Sequence, residues 1–369
     1  MKIDEIDEKQ AIAALAYNGH RLKKIRRIQE GANHCVFDLL LEDGRPAICK
    51  FPKVRITESG ITEKNIDTLF GGPLSLEREQ AIFNTVRNKA GLPVPKVYSM
   101  EDAPQGKYIL LEKMPGISHK EYLKQNGYTL ISFLHSIGML GKDFAKLHKT
   151  FHFNQYGDFI SPGHIEPGDD NFSDRFLRVT RNYIFKAHQK GMLSDREASD
   201  MTDFFSKGFN AYRSQFTLQT APSTLVFTDL HGENFFVDKT GKPCGYFDLE
   251  SAQAAPGALE FYGFRFFLFN FFDPPTFKKA EDAFFNAYEK AGGPYTPHSL
   301  EDQGIIDFLS AVRLLEISQS YWGYIDGIRD TWGQRIYNLL RRYIQTGMVD
   351  YFGLGAIWRE RDGQPEIPG

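Results

Sequence analysis

This sequence predicts an α+β fold of two lobes, a small antiparallel-sheet N-lobe followed by a large, mainly helical C-lobe. Three observations carry that expectation. The first hundred residues alternate apolar runs with turn residues, as in CVFDLLLEDGRPAICKF (35–51). Beyond Pro115-Gly116 the apolar residues recur at helical spacing over long stretches. Within that helical region one island, 224–248, returns to strand character. A chain of 369 residues suits two lobes better than one core, with residues 1–115 in the first and 116–369 in the second.

Taken in order, the basic run HRLKKIRR (20–27) reads as the solvated edge of a first strand. Two strands follow, joined at Glu42-Asp43-Gly44-Arg45, where Asp-Gly signals a hairpin turn. The polar, Gly-containing segment 54–74 reads as a loop. SLEREQAIFNTVRNKAG (75–91) has helical periodicity and ends in a Gly stop. LPVPKVYSM and YILLEKMPG supply two further strands. In the C-lobe, helices are expected over 130–151, 171–190, 194–216, 258–271, 277–292, 301–325 and 330–347, and the tail RERDGQPEIPG is expected to fray. The aromatic block FYGFRFFLFNFFD (261–273) reads as a core helix, with an acceptor-pocket wall as the alternative.

Composition narrows the function. The formal net charge of -3 implies no general attraction to nucleic acid. The longest aromatic run, FRFFLFNFF (264–272), is too short to span a bilayer. Cys35, Cys49 and Cys244 show neither C-x-x-C spacing nor a paired framework, so no zinc or disulfide site is expected. The charged N-terminus MKIDEIDEKQ is unlike a signal peptide, and with reduced thiols it points to the cytoplasm.

Chemistry concentrates in FTDLHGENFF (227–236). A strand, STLVF, leads into the loop TDLHGEN. A hairpin of NFFV, DKTGKP and CGYFD then brings Asp248 back towards Asp229 and Asn234. Two carboxylates and a carboxamide suit phosphoryl transfer, because Mg²⁺ prefers oxygen ligands. Asp248 and Asn234 are the candidate metal ligands. Asp229 is the candidate base for an acceptor hydroxyl. Like charges crowded together repel, which argues for a cation among them.

The spacing Asp229-x-x-x-x-Asn234, followed by Asp248 after a hairpin, resembles the aminoglycoside phosphotransferase and choline kinase-like family. That resemblance implies the two-lobed protein-kinase-like fold. The motif matches at Asp229, His231 and Asn234, and FDLE stands at the metal Asp. Phe227-Thr228 replaces the family's His-Gly, and Gly232-Glu233 stands where Pro-Gly is frequent. The resemblance further implies a phosphate-positioning Lys50 held by Glu79, with Glu77 second. It places a nucleotide-covering loop at EGANHCVF, where Gly31 and Asn33 or His34 approach phosphate. It sets a hinge at Glu112, Lys113 and Met114 against the adenine, and a bracing role for Glu260.

The implied function is transfer of the γ-phosphate of ATP, with GTP also admitted, to a hydroxyl of a small molecule, assisted by Mg²⁺. Antibiotic or aminoglycoside-like sugars come first as acceptors, then metabolic sugars and amino alcohols. Glu233, Glu250, Asp273 and SYWGYIDG (320–327) are candidate acceptor walls. Two rivals stand beside this. One is a protein kinase, against which the absence of DFG and APE triplets speaks. The other is an inactive nucleotide-binding scaffold, against which the intact Lys, Asp, Asn and Asp set speaks. Neither nucleic-acid nor membrane partners are expected.

Overall fold

The computed structural model describes residues 2–4, 6–28, 34–56, 69–70, 75–270, 272–324 and 327–361. Gly31 and Asn33, two of the nucleotide-loop candidates, lie outside the described residues, as does most of the segment 54–74.

Five antiparallel strands form the N-lobe sheet, in the spatial order Leu22–Arg27, His34–Leu41, Pro46–Pro52, Gly106–Glu112, Val97–Ala103. The expected hairpin turn is present, and Gly44 takes φ 88°, a conformation that an L side chain resists. Strand alternation then sorts the central strand into two faces. Cys49 and Phe51 join Ala11, Ala14 and Leu15 in a core on the outer face. Ile48 and Lys50 face the cleft between the lobes. The charge that matters is thus held on a strand whose other face is fixed by packing.

The helix Glu8–Tyr17 that closes the outer core was not expected from the sequence. Its apolar residues run consecutively from Ala11 to Tyr17, so they do not stand out as a helical periodicity. A capping box between Asp7 and Gln10 marks its start. The cleft-side helix Leu76–Thr85 begins at Ser75, whose side chain accepts from the Arg78 N–H. It runs on through a single π-turn, Val86–Ala90, and stops at Gly91 with φ 59°.

In the C-lobe the helix Leu130–Thr150 packs along Pro274–Lys290, Phe172–Gln189 along Asp195–Tyr212, and Leu300–Tyr321 along Ile328–Thr346. Gly141 allows the first of these approaches, since a Cβ there would lie 2.5 Å from the Phe284 carbonyl oxygen. Aromatic rings fill the core. Phe144 makes edge contacts with Phe227, Tyr246 and Phe264.

The single strand island expected at 224–248 needs correction. Thr224–Val226 belongs to a four-stranded sheet with Tyr156–Ser161, His164–Asp169 and Gln253–Ala255. The first two of those strands carry Gly, Pro and acidic residues, which weaken strand propensity and hide the alternation. The hairpin Phe235–Val237 and Pro243–Tyr246 pairs instead with the short strand Ile117–Ser118. A further helix, Tyr351–Arg361, ends the described chain, so the first residues of the supposedly frayed tail are helical. Trp358 and Arg359 on it are buried.

One buried imidazole makes stability depend on pH. His119 is fully buried, stacks on Phe235 and shares a 2.8 Å hydrogen bond with Ser136 Oγ. Burial lowers its pKa to about 3. A folded-state pKa below the unfolded value gives stability that is complete above about pH 6.5 and is lost as pH falls towards 3. Lowering the pH from 7 to 5 therefore removes about 2 kcal/mol through this group alone. Urea unfolding of wild type and His119→Gln at both pH values measures it, and the wild type should show the steeper acid loss by that amount.

Candidate active site

The cleft between the two lobes encloses about 1420 Å³. Lys50, Glu79, Glu112, Met114, Asp229, Asn234 and Asp248 all line it. Seven candidate residues spread over 199 positions of sequence thus share one cavity wall. Gly31 and Asn33 cannot be placed with them.

Lys50 is the hub of the nucleotide side. Its Nζ donates to Glu79 Oε1 at 2.6 Å and lies 3.4 Å from Asp248 Oδ1. Lys50 and Glu79 are buried, with side-chain exposures of 8% and 2%. Burial by itself would lower the Lys50 pKa, but Glu79, Asp248 and Glu250 outweigh it and hold the ammonium above its ordinary value. Burial likewise pushes Asp248 up, and the Lys50 ammonium reverses the direction, so Asp248 is kept ionised. Glu77, the second choice for the Lys partner, instead binds Lys107 at 2.6 Å on the surface.

The helix that carries Glu79 also carries Arg78, which the sequence analysis passed over. Arg78 is 2% exposed. Its Nε donates to the Phe159 carbonyl at 2.6 Å, and its two terminal nitrogens donate to the carbonyls of Glu250 and Ala252. A guanidinium from the N-lobe therefore grips C-lobe backbone on both sides of the turn after Asp248. Its fork geometry suits three carbonyls as no other side chain would. The signal in the sequence was slight: an Arg beside the paired Glu, on what would otherwise be an apolar helix face.

The loop that carries Asp229 is strained and heavily braced. Asp229 N–H donates back to the Phe227 carbonyl at 2.7 Å, closing a three-residue turn about Thr228 at φ 58°. A β-branched residue in that region costs on the order of 1–3 kcal/mol. Several contacts hold it there. Thr228 Oγ1 donates to the Ser251 carbonyl at 3.2 Å, and Ser251 Oγ donates to the Phe227 carbonyl at 3.0 Å. From the helix Ala258–Phe264 below, Glu260 Oε2 accepts the Phe227 N–H at 2.7 Å, and Tyr262 donates to the Thr228 carbonyl at 3.3 Å. Thr228 thus occupies a conformation natural to the glycine it replaces. Phe227, in place of the motif histidine, is buried against Phe144 at 5.5 Å between ring centroids.

Asn234 donates through Nδ2 to the Asp229 carbonyl at 2.9 Å, which leaves its side-chain oxygen for another partner. Asp248 takes φ 59° at the head of its turn. Ligand atoms of Asp248, Glu250 and His34 lie within 4.8 Å of one another. Burial, aided by Lys50, lowers the His34 pKa to about 3, so its imidazole is neutral at pH 7. Two carboxylates so close together suit a hard divalent cation.

On the acceptor side, Arg313 reaches in from the helix Leu300–Tyr321. Its Nη2 lies 4.0 Å from Asp229 Oδ1, and Glu316 holds its other face. Arg313 was not singled out from the sequence, because a lone Arg on a long amphipathic helix reads as surface. The aromatic block divides between the core and the cleft. Phe261, Tyr262 and Phe264 are core, while Phe267, Leu268 and Phe272 reach the cleft. Asp273 drops out as an acceptor wall, since its carboxylate accepts the Thr276 N–H and caps the next helix. Tyr321 of the segment 320–327 does line the cleft. Glu233 is exposed and paired with Lys120 at 3.1 Å. His231 accepts the Glu233 N–H at Nδ1, a local structural contact.

Comparison with known proteins follows this geometry. No curated protein matches the chain significantly. Solved structures do, over nearly the whole chain. A GDP complex of an aminoglycoside 2'-phosphotransferase-IIIa mutant superposes with a TM-score of 0.59 at 9% identity, covering 92% of this chain and 99% of the other. A putative fructosamine-3-kinase from Thermobifida fusca gives 0.55 at 15%, with coverages of 90% and 99%. An ethanolamine kinase from Plasmodium vivax gives 0.51 at 12%, with coverages of 93% and 83%. Such identities show a common fold, that of the protein-kinase-like phosphotransferases. The family model described as the phosphotransferase enzyme family matches residues 24–300, and this chain belongs to that family.

Proposed function

We propose that the protein transfers the γ-phosphate of ATP to a hydroxyl group of a small molecule. The observation that supports this most is the double engagement of Lys50, 2.6 Å from Glu79 and 3.4 Å from Asp248, on a cleft that Asp229 and Asn234 also line. One ammonium tied to two carboxylates from different lobes is what positioning of a triphosphate requires. In this reading the lobes meet near Pro115-Gly116 and the hinge residues Glu112 to Met114 face the adenine.

Each residue then has a task. Lys50 binds phosphate oxygens and Glu79 keeps it aimed. Asp248 and the Asn234 side-chain oxygen would hold Mg²⁺, which when bound neutralises charge on the phosphates. Asp229 orients the acceptor hydroxyl and takes its proton. Arg313 keeps the Asp229 carboxylate in place. Gly31 and Asn33 complete the phosphate cover from the loop before His34. Catalysis is alignment and charge compensation, with no covalent intermediate on the protein.

Calorimetry with ATP and Mg²⁺, followed by transfer from γ-labelled ATP to a mixture of hydroxylated small molecules, tests the reading. Nucleotide binding and label in the small-molecule fraction, both lost in Lys50→Met, are expected. A chain that binds no nucleoside triphosphate would overturn it.

A further inference from the structure

Most carboxylates around Asp229 already face a cation. On the C-lobe wall of the cleft, Glu316 is bound to Arg313, and Glu233 is bound to Lys120 at 3.1 Å. Arg313 also leans on Asp229 at 4.0 Å. Arg361 adds a third cation to this wall, its guanidinium 4.9 Å from the centre of the Trp358 ring. Lys120 and Arg313 thus engage Glu233, Glu316 and Asp229. Half-buried Glu121 takes a 3.0 Å hydrogen bond from Gln125. Asp248 and Glu250 belong to the corner beside Lys50 and His34.

The rest of the wall is apolar. Phe267 and Phe272 line it, with Ile317, Tyr321 and Trp358. The Arg313 guanidinium lies over the rings of Phe267 and Phe70, 5.6 and 5.0 Å from their centres. The indole Nε1 of Trp358 is buried and has no hydrogen-bond partner among the described residues.

A ligand carrying several ammonium groups needs several carboxylates that are not already neutralised, because each desolvated cation must find a counter-charge. Among the described residues this wall offers one such carboxylate, Glu121, and not a set. It supplies ring faces and hydrogen-bonding groups, the usual lining for a largely uncharged ligand. We infer that the acceptor is a hydroxylated molecule with an apolar face and at most one net charge, and not a polyamine-bearing glycoside. The inference rests on the phosphotransfer reading and narrows its acceptor.

The full chain, with ATP and Mg²⁺, should be assayed by ADP release on two sets of compounds. One set is phenyl glycosides of common hexoses, which are uncharged and carry both hydroxyls and an apolar ring. The other is glycosides with three or more amines. Binding of both sets to the ATP-loaded protein should be followed in parallel by calorimetry at low and high salt. We expect the uncharged set to exceed the polyamines in kcat/KM by 10²-fold or more, and to bind with little dependence on salt. Preferred turnover of polyamines, or polyamine binding that is tighter and salt-sensitive, would overturn the inference and leave phosphotransfer standing. ATP binding with no affinity for any uncharged compound also counts against it. A chain that fails to bind ATP refutes the underlying reading instead.

Discussion

Replacing Asp229 by asparagine lowers turnover by about 10³-fold and leaves ATP binding within a few-fold of wild type. The substitution keeps the size and shape of the side chain. The loop geometry should survive, because it depends on the backbone of Phe227 and Thr228 and on Glu260, Ser251 and Tyr262 rather than on the Asp229 carboxylate. What is lost is the capacity to accept a proton. In the proposed reading the triphosphate is held through Lys50, Glu79 and Asp248, so the nucleotide should keep its contacts. ADP release with acceptor present reports the first effect, and calorimetry with ATP the second. Wild-type turnover in Asp229→Asn would remove this residue from the role of base.

Arg78→Met carries the other large effect, and it falls on stability and activity together. Methionine fills much of the same volume but strands three buried carbonyls, at Phe159, Glu250 and Ala252. Each such loss costs about 1–3 kcal/mol, so unfolding free energy should drop by about 3–5 kcal/mol. The activity argument is separate. Arg78 ties the helix bearing Glu79 to the turn that follows Asp248, and so fixes the distance from Lys50 to both carboxylates. Slackening that tie by an ångström is enough to lower kcat/KM for ATP by about 10²-fold. Arg78→Lys keeps a charge without the planar fork and should recover part of the stability but little of the activity. Urea unfolding and steady-state kinetics at a temperature where both variants are folded make the distinction. A destabilised variant with unchanged kcat/KM would make Arg78 a scaffold residue only.

Much of the site was legible because it consists of chemistry-bearing residues at fixed local spacing. Asp229, Asn234 and Asp248 sit on one loop and one hairpin, so their convergence follows from strand periodicity and turn length. Lys50 could be told from Lys53 because Pro52 ends the strand and alternation turns position 50 towards the cleft. Glu79 needed the resemblance, since a first-turn glutamate is commonplace on any helix. Arg78, Arg313 and the strain at Thr228 could not be read in this way. Arg78 acts on backbone carbonyls more than 80 positions away, and carbonyls carry no sequence signature. Arg313 sits on a helix whose periodicity says only that it is amphipathic. The conformation of Thr228 contradicts its own side-chain preference and exists only because the surrounding contacts impose it.

The amino-acid sequence by itself determined the two-lobed α+β architecture, the order of most elements, the family and the residues able to handle a phosphate. These follow from local rules: periodicity, turn chemistry and motif spacing. Tertiary structure alone decided which arginine reaches Asp229, how the sheet strands pair, and how charge is arranged on the cleft wall. Those outcomes depend on distances between segments far apart in the chain. Packing and electrostatics set such distances collectively, and no short stretch of residues encodes them.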